Sequence, residues 1–279
     1  MGITPERILA GRWIAGPRIE DAMLVASELN KAGIKAMVNY LGEELRDEES
    51  IEDAVKTYIS LVKRARKNNA RISIAVKPTQ IGMSIGMEEA KRNYLRILEA
   101  AGTAGIFTWL DMENYMYVDN TINLYLWNRR KAMAGICLQA YLKRSVGDLK
   151  RITKAGGTVR LVKGAYREGE EISYRKRSEI NRNYRKMMRY LFDNSQRFMI
   201  ATHDKEMIST AVRMNKRSRK DLSFAMLKGI NNRYAKKLSS EGMKVEIYLP
   251  FGERWIDYAY RRLREASNIS LLIRHLFDE

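Results

Sequence analysis

Short apolar runs alternate with amphipathic stretches along most of the chain. Each run is almost continuously apolar, which is typical of strands buried on both faces of a parallel sheet. The stretches between the runs carry apolar residues at helical spacing, as in residues 90–101, 121–133, 180–191 and 207–212. The pattern predicts eight strands, each followed by a helix. The strands are expected at residues 34–40, 71–76, 106–112, 135–142, 158–162, 197–202, 222–227 and 244–249.

Eight strand–helix units of this length fit a (βα)8 barrel of the TIM type, which is an α/β fold. An open, doubly wound sheet is the alternative, but no GxGxxG motif follows a predicted strand. No linker-like stretch divides the chain, so we expect a single domain. Residues 1–33 are expected to form N-terminal helices, residues 34–266 the barrel and residues 267–279 a C-terminal helix. Helix starts are predicted at Thr4-Pro5, near Pro17 and at Ser50 as the N-cap.

Basic residues outnumber acidic ones by 51 to 33, which gives a formal net charge of +18. Such an excess suits nucleic acid, an anionic membrane surface or an anionic ligand as a partner. The charges are scattered along helices rather than grouped in blocks, however, so solubility is an equally good reason for them. We expect no nucleic acid partner, and peripheral contact with an anionic membrane remains open.

The cysteine and histidine content limits the kinds of site that the chain can build. Cys137 is the single cysteine, so no disulfide framework exists, and it lies in an apolar run where a core position is expected. With His203 and His275 as the two histidines, no metal site is expected. No run approaches the roughly 18 apolar residues of a membrane span, and no signal-peptide core is present. The sequence predicts a cytoplasmic protein, with peripheral contact at the inner face of the membrane as an open alternative.

Polar residues cluster where the predicted strands end. In (βα)8 barrels the functional side chains lie at these carboxyl ends, so a rich set there converges on one mouth. Lys77 and Asp111 are expected to neutralise each other, which leaves Arg160, Lys163, Arg261 and Arg262 for an anion. The strand-end set comprises Asn39, Lys77, Asp111, Gln139, Tyr141, Arg160, Lys163, Tyr166, Thr202, His203 and Tyr248.

A predicted helix at residues 253–268 carries an unusual polar face. Tyr258, Arg261, Arg262 and Glu265 are spaced i, i+3, i+4 and i+7, which places them on one side of the helix. Two adjacent guanidiniums suit a carboxylate or a phosphate, because each offers a rigid fork of donors. A solvated basic face is the alternative interpretation.

Seven segments resemble the motifs of the proline dehydrogenase family and occur in that family's order. The sequence VRLVKGAY at residues 159–166, followed by the paired arginines, is the most specific of them. That family is a flavin-dependent (βα)8 barrel whose last helix lies over the barrel mouth. The resemblance implies oxidation of L-proline to 1-pyrroline-5-carboxylate by hydride transfer to non-covalent FAD, with a membrane quinone as an onward electron acceptor. The other segments are residues 38–43, 73–82, 110–113, 138–145, 201–204 and 258–265.

The resemblance also implies roles for individual residues. Asp111 and Arg160 are implied in catalysis, with Asp111 paired to Lys77 and Arg160 near the flavin N5. Glu265 would brace the paired arginines. The implied substrate-binding residues are Lys77, Tyr166, Tyr248, Tyr258, Arg261 and Arg262. The implied FAD-binding residues are Met112, Gln139, Lys163, Gly164, Ala165, Thr202 and His203.

Three positions depart from the family's pattern. Ala225 stands where Gln is usual, Lys228 where Tyr or His is usual, and Arg167 where an aromatic residue is common. Two other classes of protein remain open. A Schiff-base lyase could use Lys77 or Lys163 at a strand end, and a nucleic-acid-binding protein could use the positive charge. Bound flavin would separate the family interpretation from both.

Overall fold

Eight parallel strands form a closed barrel in chain order. The computed structural model describes residues 11–128 and 133–255. Strand β8 closes the barrel by pairing with β1, from Lys35 opposite Glu246 to Tyr40 opposite Phe251. The predicted (βα)8 architecture is therefore confirmed. The strands are β1 Lys35–Tyr40, β2 Ile72–Val76, β3 Phe107–Leu110, β4 Ala134–Gln139, β5 Thr158–Val162, β6 Arg197–Ala201, β7 Asp221–Leu227 and β8 Lys244–Phe251.

The largest difference from the predicted strands is in β4, which was expected to continue to Leu142. The chain turns after Gln139, whose carbonyl accepts hydrogen bonds from the Leu142 amide at 3.3 Å and from the Ser145 hydroxyl at 2.5 Å. The apolar run therefore continues through a turn that hydropathy alone does not reveal.

In the described part of the chain, an α-helix follows each of the first seven strands, and another helix comes before β1. The first helix packs against both β1 and β8, which is where the eighth helix of a regular (βα)8 barrel would lie. It therefore covers the apolar outer faces of these two strands. The helices are α1 Ile19–Lys31, α2 Glu48–Lys67, α3 Met87–Thr103, α4 Val118–Asn128, α5 Ser145–Lys154, α6 Arg177–Asn194, α7 Lys205–Ser218 and α8 Asn232–Ser240.

The predicted helix start at Ser50 is wrong. Helix α2 begins at Glu48, and the Asp47 side chain is its N-cap because it accepts the Ser50 amide at 2.7 Å. Aspartate is as good an N-cap as serine. Glu48 and Glu49 then lie in the first turn of the helix, where the positive end of the helix dipole stabilises their negative charges. The start near Pro17 agrees with α1. The start at Thr4, the helix expected over the mouth and the boundary at residue 266 lie outside the described residues.

Apolar side chains fill the inside of the barrel below its mouth. Met37, Ala75, Trp109, Met199 and Ala225 come from five different strands and pack together there. This layer fills the barrel interior, so the space for a ligand lies above it, at the carboxyl ends of the strands. Among the described helices, α1 to α8, not one combines the length and apolarity that crossing a bilayer requires.

Candidate active site

A cavity of about 640 Å³ lies at the carboxyl ends of the strands. Every described residue that the resemblance implies in catalysis, substrate binding or FAD binding lines it, and these residues come from six different strands or the loops that follow them. Asn39 and Tyr141, which belong to the predicted strand-end set, are not among the lining residues. Tyr258, Arg261, Arg262 and Glu265 lie outside the described residues. The twelve lining candidates are Lys77, Asp111, Met112, Gln139, Arg160, Lys163, Gly164, Ala165, Tyr166, Thr202, His203 and Tyr248.

A buried ion pair crosses the cavity floor between β5 and the end of β3. The Arg160 guanidinium donates to one oxygen of Asp111, and the Tyr248 hydroxyl donates to the other at 2.7 Å. Arg160 is 4% exposed and Asp111 is 6% exposed. Burial lowers the pKa of Arg160, but Asp111, Cys137 and Tyr248 together outweigh burial, so the pKa is raised. Both carboxylate oxygens of Asp111 are thus engaged, and the guanidinium is fixed in place.

The predicted pairing of Lys77 with Asp111 is wrong. The Lys77 ammonium lies 2.8 Å from a carboxylate oxygen of Glu43, which follows β1. Asp111 instead reaches across the barrel to Arg160, because both side chains point inward from β3 and β5. Burial disfavours the charge of Lys77, yet Tyr166 and Glu43 raise its pKa well above the usual value.

Of the cations expected to remain for an anion, the two that lie in the described residues, Arg160 and Lys163, are also engaged. Arg160 holds Asp111, and the Lys163 ammonium lies 3.1 Å from a carboxylate oxygen of Asp204. Lys77, Arg160 and Lys163 therefore each carry a carboxylate partner. An added substrate carboxylate would need further cations to be held firmly.

The turn after β5 exposes mainly backbone to the cavity, because Gly164 and Ala165 line the cavity there. Gly164 adopts φ +112°, which favours glycine, and a Cβ atom there would collide with the ring of Tyr141. On the neighbouring rim, the His203 Nε2 accepts the Leu227 amide at 3.2 Å. A neutral His203 ring therefore carries its proton on Nδ1, which makes that nitrogen a donor. Bare backbone beside a donor suits a flat, polar-edged ligand.

A family model described as proline dehydrogenase matches residues 22–275. The chain belongs to the proline dehydrogenase family. This membership supports an oxidoreductase that acts on proline in proline catabolism. The resemblance of the seven motifs is thereby confirmed at the level of the family.

Curated proline dehydrogenases match the chain over nearly its whole length. Proline dehydrogenase 2 of Bacillus subtilis (strain 168) is 30% identical over 273 residues, which cover 96% of this chain and 90% of that protein. The proline dehydrogenase of Deinococcus radiodurans is 29% identical over 267 residues and covers 92% and 86% of the two chains.

Solved structures of larger proteins contain the same fold. Proline utilization A from Bdellovibrio bacteriovorus, inactivated by N-propargylglycine, superposes with a TM-score of 0.87 and 25% identity. That match covers 97% of this chain and 34% of the other, so this chain spans about a third of that protein. Proline utilization A from Corynebacterium freiburgense gives a TM-score of 0.81 at 22% identity, which is a likeness of fold.

Several lining residues escape a search of strand ends for family motifs. Glu43 lies within a matched motif yet shows its contact with Lys77 only in three dimensions. Arg175, near the end of the long loop after β5, and Arg177, the first residue of α6, also line the cavity. The one sequence signal for them is the basic run that ends at α6.

The departures from the family's pattern have different surroundings. Ala225 and Cys137 line the cavity, so the cysteine lies at the cavity wall as well as in the core, and burial raises its pKa. Arg167 is exposed on the loop after β5 and is not among the lining residues. Lys228 lies beyond the cavity and contacts the N-terminal segment.

Replacing Gly164 with alanine is expected to distort the turn after β5. The positive φ and the collision with Tyr141 together should cost about 1–3 kcal/mol, and bound flavin should be retained poorly. The measurement is the flavin-to-protein absorbance ratio together with Tm. Gly102→Ala in α3 is the matched control, because an added Cβ meets nothing within 4 Å. Equal flavin content in the two variants would contradict the prediction.

Glu113 is a buried acid that titrates near neutrality. Its oxygens accept the Thr79 amide at 2.8 Å and the Thr79 hydroxyl at 2.7 Å. Burial raises its pKa from 4.5 to about 7, although Lys77 and Thr79 oppose the shift. Its main-chain carbonyl accepts the Gln139 amide at 2.7 Å, so Glu113 links the loops after β2 and β3 to the end of β4.

We expect Glu113 to make stability depend on pH. Between pH 4.5 and 7 the folded protein binds more protons at this group than the unfolded chain, so the free energy of unfolding falls as pH rises through that window. Glu113→Gln should remove up to roughly 3 kcal/mol of this dependence. Urea unfolding at pH 5 and pH 7.5 measures it, with exposed Glu99→Gln as the control. Parallel pH profiles for native protein and Glu113→Gln would contradict the prediction.

Proposed function

We propose that this chain oxidises L-proline to 1-pyrroline-5-carboxylate with non-covalent FAD, as the first step of proline catabolism. The observation that carries the proposal is the convergence, on one cavity at the strand ends, of the twelve described residues to which the resemblance gives a role in the site. Six strands contribute to that set. Because strand ends converge in any (βα)8 barrel, the family match over residues 22–275 is what connects this cavity with proline.

The substrate would be held by charge at one end and by aromatic side chains around the ring. Arg261 and Arg262 are proposed to bind the proline carboxylate with Lys77 beside them, since Arg160 and Lys163 already carry carboxylate partners. Tyr166, Tyr248 and Tyr258 would surround the pyrrolidine ring and exclude water.

Asp111 and Arg160 are proposed as the catalytic pair. Asp111 holds the guanidinium through one oxygen and Tyr248 through the other. The pair would orient Arg160 toward the reacting ring, so that no reorganisation is needed during the reaction.

The residues present fit a flavin. Gly164 lines the cavity wall without a side chain, and His203, which also lines the cavity, presents a donor. Arg175 and Arg177 add cations at the cavity wall for the anionic part of a dinucleotide. When bound, FAD supplies the acceptor for the hydride that leaves the ring carbon beside the nitrogen. The proposed FAD-binding residues are Met112, Gln139, Lys163, Gly164, Ala165, Thr202 and His203.

Anaerobic addition of proline to the purified protein tests this function. The protein should be yellow, denaturation should release the flavin, and proline should bleach the absorption in the blue. A colourless protein that takes up no added FAD, or a coloured protein that proline does not bleach, would reject the proposal.

A Schiff-base lyase finds less support. Such a mechanism needs an amine that is readily deprotonated. Lys77 has a pKa raised well above its usual value and pairs with Glu43. The flavin test above also separates this class, because a Schiff-base lyase predicts no bleaching by proline.

The net charge of +18 supports a second part of the proposal, which concerns the electron acceptor. Docking on the anionic inner face of a membrane would bring a quinone to the reduced flavin. Cosedimentation with anionic vesicles should be strong at low salt and weak at high salt. Absence of binding at low salt would reject docking and leave solubility as the reason for the charge.

A further inference from the structure

Residues 11–16 lie across the rim of the barrel mouth, where β1, β7 and β8 end. The Ala15 amide donates to the Pro250 carbonyl at 2.8 Å, and the Gly252 amide donates to the Gly16 carbonyl at 2.9 Å. These bonds fasten the segment to the last residues of β8 and the turn that follows. We call residues 11–16 the N-terminal clasp.

Lys228 fastens the other end of the clasp to the loop after β7. Its ammonium donates to the Gly11 carbonyl at 2.6 Å and to the Arg12 carbonyl at 3.0 Å. Residues 11–13 are helical, so the lysine meets carbonyls of a helical turn, where a cation is favourable. Burial lowers the pKa of Lys228 to about 8, which indicates that the clasp shields this side chain from water.

Gly229 permits the close approach of the clasp to this loop. It adopts φ +78°, and a Cβ atom there would collide with the Arg12 carbonyl oxygen. The Arg12 side chain in turn donates to the Gly229 carbonyl at 3.4 Å. The loop after β7 is therefore shaped to receive the clasp.

The clasp carries a small apolar cluster of its own. Trp13 and Ile14 are 4% and 6% exposed and pack with Leu41, and Ile230 and Trp255 complete the cluster. Tyr258 follows Trp255 in the sequence at position i+3. The clasp thus packs against Trp255, six residues before the first of the proposed carboxylate-binding arginines.

We propose that the N-terminal clasp positions the segment carrying Arg261 and Arg262, with Trp13 and Lys228 as the positioning residues. This inference rests on the proposed function, because the positioning serves binding of the proline carboxylate. Neither Trp13 nor Lys228 lines the cavity, so each would act through Trp255 and the residues that follow it. Lys228 stands where the family usually has Tyr or His, so this fastening belongs to this chain's own sequence.

Kinetics on two substrates tests the inference. In Trp13→Ala and Lys228→Met, kcat/KM for proline should fall roughly 10- to 100-fold, mostly through KM, because a misplaced binding group loses orientation. The much slower oxidation of pyrrolidine, which lacks the carboxylate, should change less than about twofold. Flavin content should stay at the native level, and Trp13→Phe should restore most of the loss.

Matched controls and a second measurement keep the test decisive. Trp127→Ala in α4 and Lys236→Met in α8 remove the same side chains from exposed positions outside the cavity lining, and both should behave as native. Limited proteolysis of the flavin-loaded protein should cut after Trp255 faster in Trp13→Ala and Lys228→Met than in these controls.

The outcomes separate this inference from the proposed function. Equal losses on proline and pyrrolidine, or no loss on either, would overturn the inference while leaving proline oxidation intact. If the native protein does not oxidise proline, the proposed function fails. In that case unchanged proteolysis in both clasp variants would overturn the positioning role as well, and faster cleavage would support it.

Discussion

Each of the single variants Asp111→Leu and Arg160→Met should lose about 3–5 kcal/mol of folding free energy, because each leaves a buried charge without its partner. The pair is deeply buried on the cavity floor, and Tyr248 binds the same carboxylate. For a chain of this size, the loss should lower Tm by roughly 6–20 °C. Urea unfolding and calorimetry measure it.

The double variant distinguishes the ion pair from two independent contributions. Apolar side chains at both positions leave no buried charge, so stability should return toward the native value. Activity should not return, because the oriented guanidinium is gone, and Arg160→Met should slow flavin reduction by proline more than it weakens proline binding. Tyr248→Phe removes the hydroxyl alone and should cost about 1.5–3 kcal/mol as a lost bond to a charged group. A double variant as unstable as the two singles combined would contradict this account.

The barrel itself was predictable because its strands are short and almost continuously apolar. A strand with both faces covered leaves a continuous hydrophobic run, and the eight runs could be read directly. Their ends were less certain where an apolar run continues into a turn, as at Leu142. The start of α2 was displaced because Asp47 and Ser50 are both good N-caps and the sequence does not rank them.

The candidate site was predictable as a set but not in its internal pairing. Strand ends converge in any (βα)8 barrel, so the motif residues had to meet at one mouth. The partner of each carboxylate depends on distances across the barrel mouth, and these distances cannot be deduced from the order of residues along the chain. Lys77 therefore paired with Glu43 and Arg160 with Asp111, against expectation. Arg175 and Arg177 escaped notice because they lie at the end of a long loop and at the start of α6 rather than at a strand end.

The same geometry strengthens the case for the paired arginines, which lie outside the described residues. Lys77, Arg160 and Lys163 each have a carboxylate partner in the cavity. A bound proline would bring another carboxylate into this partly dry space. Cations beyond these three would have to meet it, and the family resemblance assigns that role to Arg261 and Arg262.

Arg261→Met and Arg262→Met should each lower kcat/KM for proline by about 30-fold to several thousand-fold. Losing one partner of a buried, hydrogen-bonded charge pair costs roughly 2–5 kcal/mol, and this cost converts directly to the loss in kcat/KM. Pyrrolidine has the same ring and amine without the carboxylate. Its slow oxidation should be nearly indifferent to either substitution, and both variants should fold. The measurement is kcat/KM for both substrates in the native protein and the two variants.

The comparison of substrates decides between three roles for these arginines. A loss confined to proline assigns them to the substrate carboxylate. Equal losses on proline and pyrrolidine would mean that they support structure, which Tm would then report. No loss on either substrate would favour the alternative interpretation, in which the predicted helix with Tyr258 and Glu265 presents a solvated basic face. The clasp variants Trp13→Ala and Lys228→Met should also lose activity on proline alone, but by a smaller factor. The loss in kcat/KM for proline should therefore be larger in the two arginine variants, which remove direct contacts, than in the two clasp variants, which remove positioning contacts.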